Sequence, residues 1–223
     1  MSDLLAQTVP LSLAAAISPL VLMGMLALLG GEIRPRLHAI AYAVGVVGMI
    51  AVLLAGGLAL IGLTQSGTHT SPLASPWFEL VTGILLIAFA AVMVRPTHQT
   101  YEEKAHQKHR QLIKPNAPLA AYTLLGIVLM ITNLSTIVVL IAVLKNVAKA
   151  DAPLGYEIVA LAIVGFITAL PATAPLAATL FGGAALSAKV AELGAWTNRN
   201  GKYILAVLFL VFGLQDLLKA LGY

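Results

Sequence analysis

The sequence contains no cysteine, so disulfides, thiolate metal sites and thiol-based electron transfer are excluded as functions of this chain alone. Charge is also scarce, since Asp, Glu, Lys and Arg make up only 10% of the residues while hydrophobic residues make up 60%. A soluble globular domain carries about 25% charged residues. With a mean hydropathy of +0.95, the chain is predicted to be an all-α integral membrane protein.

Six apolar stretches can cross the membrane, given that about 20 residues span about 30 Å of hydrocarbon. They form two sets of three, in segments 1–95 and 118–223, and a charged linker over 96–117 joins the sets. Each set has a long broken stretch, a long stretch with Gly or Pro, and a short plain one. Because three is an odd number, we predict two inverted-topology three-helix repeats. The predicted spans are 5–29, 38–63, 78–95, 118–144, 155–182 and 203–219.

The basic residues follow a topological pattern. The loops at 34–36, 95–114 and 189–202 hold ten Lys and Arg residues, whereas the rest of the chain holds three. The positive-inside rule therefore places these loops in the cytoplasm and both termini outside. This orientation explains the net charge of +4 better than nucleic-acid binding does. The first apolar run lacks a basic n-region and is too long for a signal peptide, so we expect a retained span.

Two apolar stretches are interrupted at corresponding places in the two halves. In the first, Ser18-Pro19 brings in a residue that has no backbone donor. In the fourth, Thr132-Asn133 and Ser135-Thr136 group four polar side chains where hydrocarbon offers no hydrogen-bonding partner. Broken apolar segments at matching positions are typical of a transport site.

The fifth stretch contains two prolines, Pro171 and Pro175, on one helical face, with Thr168 and Thr173 beside them. Each proline frees a carbonyl one turn earlier, which predicts a kink, although threonines can also satisfy the backbone of an ordinary membrane helix. We predict that this segment meets the two breaks near mid-membrane and forms a neutral substrate-binding site and hinge. The predicted site residues are Ser18, Pro19, Thr132, Asn133, Ser135, Thr136, Thr168, Pro171, Thr173 and Pro175.

No charged residue lies at the centre of a predicted span. Glu79, Glu157 and Asp216 lie near span ends, where we expect them to be solvated. In the linker, some spacings suit a metal, but the same segment is typical of an ordinary hydrophilic loop. The weak metal candidates are His98, Glu102, His106 and His109. Since no nucleophile, acid–base pair or metal set lies within the spans, we expect neither an enzyme nor a cofactor.

Several short motifs spread over nearly the whole chain resemble one family. They are Ile17-Ser18-Pro19, Asn133-Leu134-Ser135-Thr136, Leu170-Pro171, Ala174-Pro175-Leu176-Ala177, Trp196-Thr197-Asn198-Arg199-Asn200 and Phe212-Gly213-Leu214. Together they resemble the GAP family of glycolipid- and sulfolipid-addressing proteins, within the LysE superfamily of exporters. The resemblance implies six spans, a multi-pass plasma-membrane protein and help in moving lipids or other solutes outward. The family usually has Asn-Pro-Lys in the fourth span, whereas here Leu134 and Ser135 follow Asn133, so a cation that could meet an anionic headgroup is missing.

We therefore expect a secondary transporter that exports a lipid, glycolipid or polar small solute by alternating access. A membrane scaffold that assists lipid export or synthesis without transporting remains an alternative, as does an amino-acid or metal-ion exporter. Transport predicts a polar cavity at mid-depth between the first, fourth and fifth spans, whereas a scaffold predicts close packing there. The expected partners are membrane lipids, the transported molecule and, as an option left open, a second copy of the chain in a homodimer.

Overall fold

The computed structural model describes residues 2–31, 33–65, 76–94, 117–150 and 152–221, and every regular element in these ranges is an α-helix. In chain order the helices are α1 (Ser2–Ala16), α2 (Pro19–Leu29), α3 (Pro35–Gln65), α4 (Pro76–Val94), α5 (Leu119–Thr132), α6 (Leu134–Lys149), α7 (Leu154–Phe181) and α8 (Gly183–Ala220).

The first apolar stretch is divided into α1 and α2 at Ser18. Proline is tolerated at the first position of a helix, because the donor it lacks has no partner there in any case. Pro19 begins α2, and the Ser18 hydroxyl accepts a hydrogen bond from the backbone nitrogen of Val21 at 3.4 Å. The two helices form an angle of 47°. The break therefore lies where the sequence placed it.

The fourth apolar stretch is divided in the same way at Asn133. Helix α5 ends at Thr132 and α6 begins at Leu134, with a bend of 68° between them. The Asn133 side-chain oxygen accepts from the backbone nitrogen of Thr136 at 3.5 Å, so this residue caps the new helix. Asn is one of the preferred capping residues, which explains why the chain bends here rather than continuing.

Three segments are long and apolar enough to cross a membrane by themselves: Pro35–Gly62, Leu154–Phe181 and Arg199–Leu218. Counting each bent pair as one span raises the number to five, and Glu79–Val92 in α4 is an apolar helix of shorter length. The described residues thus form an all-helical membrane protein with three to five spans. Six spans and the inverted order of the repeats stay predictions.

Helix α7 continues through Pro171 and Pro175 as one helix, so the third polar segment lies within the expected span, and the kink at its prolines stays a prediction. One helix differs from its sequence-based expectation. Helix α8 begins at Gly183, so the basic residues expected in a loop over 189–202 lie on a helix instead. The span rule detects only the part that fits hydrocarbon, whereas the Ala-, Leu- and Glu-containing stretch before it also favours a helix.

Glycines allow two pairs of helices to approach closely. Helices α4 and α8 pack along one another, and a Cβ built on Gly213 would lie 2.9 Å from the Gly83 oxygen. Helices α3 and α5 meet at Gly45 and Gly126, where an added Cβ would collide with the backbone of the partner helix. Such contacts are common between membrane helices, because small residues bring the backbones together.

Candidate functional site

The breaks in the two bent helix pairs meet through one hydrogen bond. The Asn133 amide donates from Nδ2 to Ser18 Oγ at 2.6 Å, although 115 positions separate the two residues. Both side chains are buried, with 3% of Ser18 and 7% of Asn133 exposed. We call this pair the helix-break junction. It joins the starts of α2 and α6.

Further polar side chains surround the junction. Ser135 donates to the Asn133 side-chain oxygen at 2.8 Å, and Thr136 is buried one residue further along α6. From α3, the hydroxyl of Tyr42 donates to the Val21 backbone oxygen at 3.0 Å and thus joins a third helix to the start of α2. Tyr42 was not among the predicted residues, and a tyrosine in an apolar helix is too common to single out by sequence.

Thr132 does not take part in the junction. Its side chain is exposed, and its hydroxyl donates to the Val128 oxygen of its own helix at 2.8 Å. Residues on either side of a helix break point in different directions, which is why Thr132 faces away from Asn133. A role of Thr132 in the substrate site stays a prediction. Pro19 has the backbone role described above, as the first residue of α2.

The third predicted segment lies in α7, which packs against α1 and α2. Pro171 and Pro175 are buried, while Thr173 is half-buried and donates to the Ala169 oxygen of its own helix at 3.0 Å. The Thr168 hydroxyl is buried and has no hydrogen-bond partner among the described residues. Neither threonine bonds to Ser18 or Asn133, so α7 contributes packing and one available hydroxyl.

Charged residues meet at a second place, which the sequence did not reveal. Lys145 of α6 forms an ion pair with Asp216 of α8 inside the bundle, and their side chains are 2% and 10% exposed. Lys149, one turn later on α6, pairs with Glu79 of α4. The expectation that Glu79 and Asp216 are solvated at helix ends is therefore wrong.

A threonine links the two ion pairs. The hydroxyl of Thr82 lies 3.2 Å from Asp216 Oδ2 and 3.1 Å from the backbone oxygen of Glu79, so its single proton can be donated to either. The nearby crossing of α4 and α8 at glycine brings these groups within reach. We call Lys145, Asp216, Lys149, Glu79 and Thr82 the ion-pair cluster.

Glu157 is also buried, with 3% exposed, although it lies in the first turn of α7. It too departs from the expected solvation.

The sequence does contain one signal for the ion-pair cluster. Lys145 and Lys149 are spaced at i and i+4, so they share one face of a helix. The rule that ends a span at its first charge places both lysines in a loop. Buried lysines need partners, and the acidic residues near span ends were the obvious ones.

An apolar groove of about 460 Å³ lies between α3 and α7. Helix α3 contributes Val47, Ile50 and Leu54, and α7 contributes Leu161, Gly165, Ala169 and Thr173. Among these, Thr173 alone has a polar side chain. Such a surface suits hydrocarbon and offers almost nothing to an ion.

The weak metal candidates of the linker, at positions 98, 102, 106 and 109, lie outside the described residues. Within the part of the chain that the structure describes, no group of three or more His, Cys, Asp or Glu side chains could hold a metal ion.

One family model matches the chain almost from end to end. It is described as Sap, sulfolipid-1-addressing protein, and the match covers residues 8–222. It confirms the resemblance that the short motifs carried. No curated protein and no solved structure matches the chain significantly.

Proposed function

We propose that this chain, which belongs to the sulfolipid-1-addressing protein family, is a plasma-membrane exporter that moves a lipid outward by alternating access. Family membership indicates a membrane protein involved in lipid export or addressing. The observation that carries the transport mechanism is the hydrogen bond between Asn133 and Ser18, which joins the breaks of two bent helices. Broken helices that meet inside the membrane are characteristic of secondary transporters.

The junction can recognise a polar headgroup. Helices α2 and α6 both begin there, and the N-terminus of a helix carries a partial positive charge and free backbone donors. The side chains of Ser18 and Asn133 cap these ends in the present conformation. A headgroup with hydroxyl or anionic oxygens would replace these caps, and no buried cation is needed at this position.

The apolar groove favours a lipid over an amino acid or a metal ion. Its volume of about 460 Å³ falls within the ordinary range of ligand sites, and its walls are almost entirely hydrocarbon. An acyl chain fits such walls without leaving a polar group unsatisfied, whereas a free amino acid or metal ion would find no partners. We therefore assign the tail of the lipid to the groove and its headgroup to the junction.

Helix packing supports the inverted repeat. Helix α3, the long helix of the first half, packs against α5, and α7, the long helix of the second half, packs against α1. Helices α4 and α8, the last of each half, pack against each other. Equivalent helices of the two halves thus have equivalent packing partners, as a pseudo-two-fold relation requires. With α4 as a short sixth span, the number of spans is even and both termini lie on the same side, which the basic loops indicate to be the outside.

A scaffold that assists lipid export without transporting is the second candidate. The observation in its favour is the close burial of Ser18 and Asn133, since this reading predicts packing where transport predicts a polar cavity. In a transporter, the same burial corresponds to a conformation that is closed around the junction. Movement of a substrate separates the two readings.

The experiment uses purified protein in liposomes that contain NBD-labelled phosphatidylglycerol or an NBD-labelled glycolipid, or that enclose radiolabelled lysine. Dithionite, which quenches only the outer leaflet, reports lipid movement with and without an imposed ion gradient. We expect a labelled lipid to move, lysine to stay, and Asn133→Ala to abolish movement. Asn200→Ala is the matched control, because the Asn200 amide donates to the Trp196 oxygen of its own helix at 3.0 Å.

If no probe moves with the wild-type protein, while deletion of the gene disrupts complexes of lipid-synthesis proteins, the scaffold replaces the exporter. Movement of lysine without lipid would instead establish the amino-acid exporter.

A further inference from the structure

We propose that the ion-pair cluster is a proton-binding site whose occupancy controls the attachment of α6 to α4 and α8. The proposal rests on the proposed export function, because it assigns to this cluster the coupling of export to a proton gradient. The cluster consists of Lys145, Asp216, Lys149, Glu79 and Thr82.

Burial of these charges is poorly explained by stability alone. Removing two ions from water has a large desolvation penalty, and apolar residues of similar volume often replace a buried ion pair without loss of stability. Ionisable residues within a membrane protein accordingly mark functional sites by default. Four of them lie in this cluster, on three different helices.

The ion-pair cluster can control the position of α6 because few other contacts hold this helix against α4 and α8. Helix α6 begins at the bend beside Asn133 and packs along α1, whereas it closely approaches α4 and α8 at only a few positions. Lys145 lies 12 residues beyond Asn133, or about 18 Å along the helix. The two ion pairs are therefore the main attachment of the far end of α6 to the α4–α8 pair.

Water reaches the two ion pairs to different extents. The Lys149 side chain is 33% exposed, whereas those of Glu79, Asp216 and Lys145 are 5%, 10% and 2% exposed. The hydroxyl of Thr82 lies between Asp216 Oδ2 and the backbone oxygen of Glu79, so it stabilises the Asp216 carboxylate without relaying a proton from Glu79. Asp216, which keeps a tenth of its side chain exposed, can therefore take up a proton from water directly.

The proposed step is a simple protonation. A hydronium ion gives its proton to the Asp216 carboxylate, which becomes a neutral carboxylic acid, and a water molecule is left. The O–H bond formed on Asp216 replaces the one broken in hydronium, and the ionic attraction between this carboxyl group and the Lys145 ammonium is lost. Lys145 then carries a buried charge without its partner, which favours movement of this end of α6 toward water. Loss of the proton restores the pair.

Other charged groups surround the same site. Glu79 attracts the Lys145 ammonium and Lys149 repels it, so the two members of the second pair act on Lys145 in opposite directions. Helix α7 carries the buried Glu157 in its first turn. Helix α3 meets Leu144 at Gly57, about 30 Å along the helix from Arg36 and His38, so neither of these residues faces the cluster. The one titratable residue of α1, Asp3, has its side chain outside the described set. Glu79 and Lys149 tune the response, while Asp216 forms the direct pair.

Hydrogen exchange of the full-length protein in lipid nanodiscs tests the proposal between pH 5 and pH 8. Rates in the peptide covering 140–149 are corrected for the intrinsic pH dependence of exchange. In the wild type, we expect protection to fall at least about tenfold as the pH decreases. Asp216→Asn should have low protection at every pH. The double variant Lys145→Met, Asp216→Leu, which leaves no charge unpaired, should be protected at every pH.

The control is Glu192→Gln, which removes an exposed carboxylate from the same helix as Asp216 and should respond as the wild type does. A purely structural role predicts protection that does not change with pH in the wild type, and this result would overturn the proposal. So would a pH response that persists in Asp216→Asn. The folded double variant keeps the test valid if Asp216→Asn alone unfolds.

The liposome assay separates this proposal from the proposed function. If NBD-labelled lipid moves at the same rate with and without an imposed proton gradient, export is not coupled to protons, and the proposed export function is retained. A pH response in exchange without movement of any probe leaves the proton site in place and overturns the exporter.

Discussion

The helix-break junction and the ion-pair cluster solve the same problem of burying polar groups in different ways. At the junction, Asn133 and Ser18 are uncharged, and one hydrogen bond joins the two bent spans. In the cluster, four charged side chains satisfy one another between α4, α6 and α8. A neutral hydrogen bond can be made and broken at a small cost in free energy. Removing one ion from a buried ion pair is strongly destabilising, because the other ion is left without its partner. The comparison therefore predicts which region tolerates change.

The largest effect is expected when one member of the buried ion pair is removed. Lys145→Met leaves the Asp216 carboxylate buried without its cationic partner and should lower the free energy of unfolding by about 3–5 kcal/mol. Denaturant unfolding in mixed micelles measures this change. The variant that also carries Asp216→Leu should recover most of the loss. If Lys145→Met is as stable as the wild type, the pair is not buried as the structure describes.

The next effect concerns the helix crossing on which the cluster depends. Gly213→Val inserts a side chain where a Cβ alone would lie 2.9 Å from the Gly83 oxygen, so α4 and α8 must separate. We expect a loss of about 1–3 kcal/mol, measured by the same unfolding assay. Gly48→Ala is the control, because a Cβ at Gly48 meets nothing within 4 Å. Equal losses in both variants would contradict a specific role of the crossing.

Ser18→Ala tests the junction, with a smaller effect on stability. It removes a helix cap and the acceptor of the Asn133 hydrogen bond, so we expect a loss of about 1 kcal/mol. Movement of NBD-labelled lipid in liposomes should nevertheless stop. Ser12→Ala, which removes a bond to the Val9 oxygen of its own helix at 2.7 Å, should keep transport. Unchanged transport in Ser18→Ala would exclude the junction from the substrate route.

A reporter that leaves stability unchanged establishes which end of the bundle faces the cytoplasm. Fluorescent protein fused after Tyr223 should stay dark, because the fluorophore forms only inside the cell and the C-terminus is predicted outside. Fusion after Lys114, in the linker, should be bright. The opposite pattern would place the ion-pair cluster at the cytoplasmic end.

The two regions also show how far the sequence reaches. Proline and asparagine interrupt apolar runs visibly, so the breaks at Ser18 and Asn133 could be placed to the residue. Their meeting could be expected only from the analogy between the two halves. The sequence does not predict whether a polar residue next to a break faces inward, as Thr132 illustrates, because a bend changes the direction of successive side chains.

The ion-pair cluster escaped prediction for a different reason. Its members come from three helices, and the rule that ends a span at its first charge places Lys145 and Lys149 outside the membrane. Each residue was then interpreted by itself, as a solvated helix end or a loop lysine. Pairing across the bundle depends on the close crossing at Gly83 and Gly213, which no local pattern encodes.

That crossing divides α8 very unequally. The helix continues for 30 residues from Gly213 back to its start at Gly183, a distance of about 45 Å, while only seven residues follow toward Ala220. A helix that pivots at such a point acts as a lever with one long arm. Each degree of tilt at the crossing displaces the far tip by about 0.8 Å. A small tilt of α8 beside Asp216 would therefore be amplified at the Gly183 end of the helix.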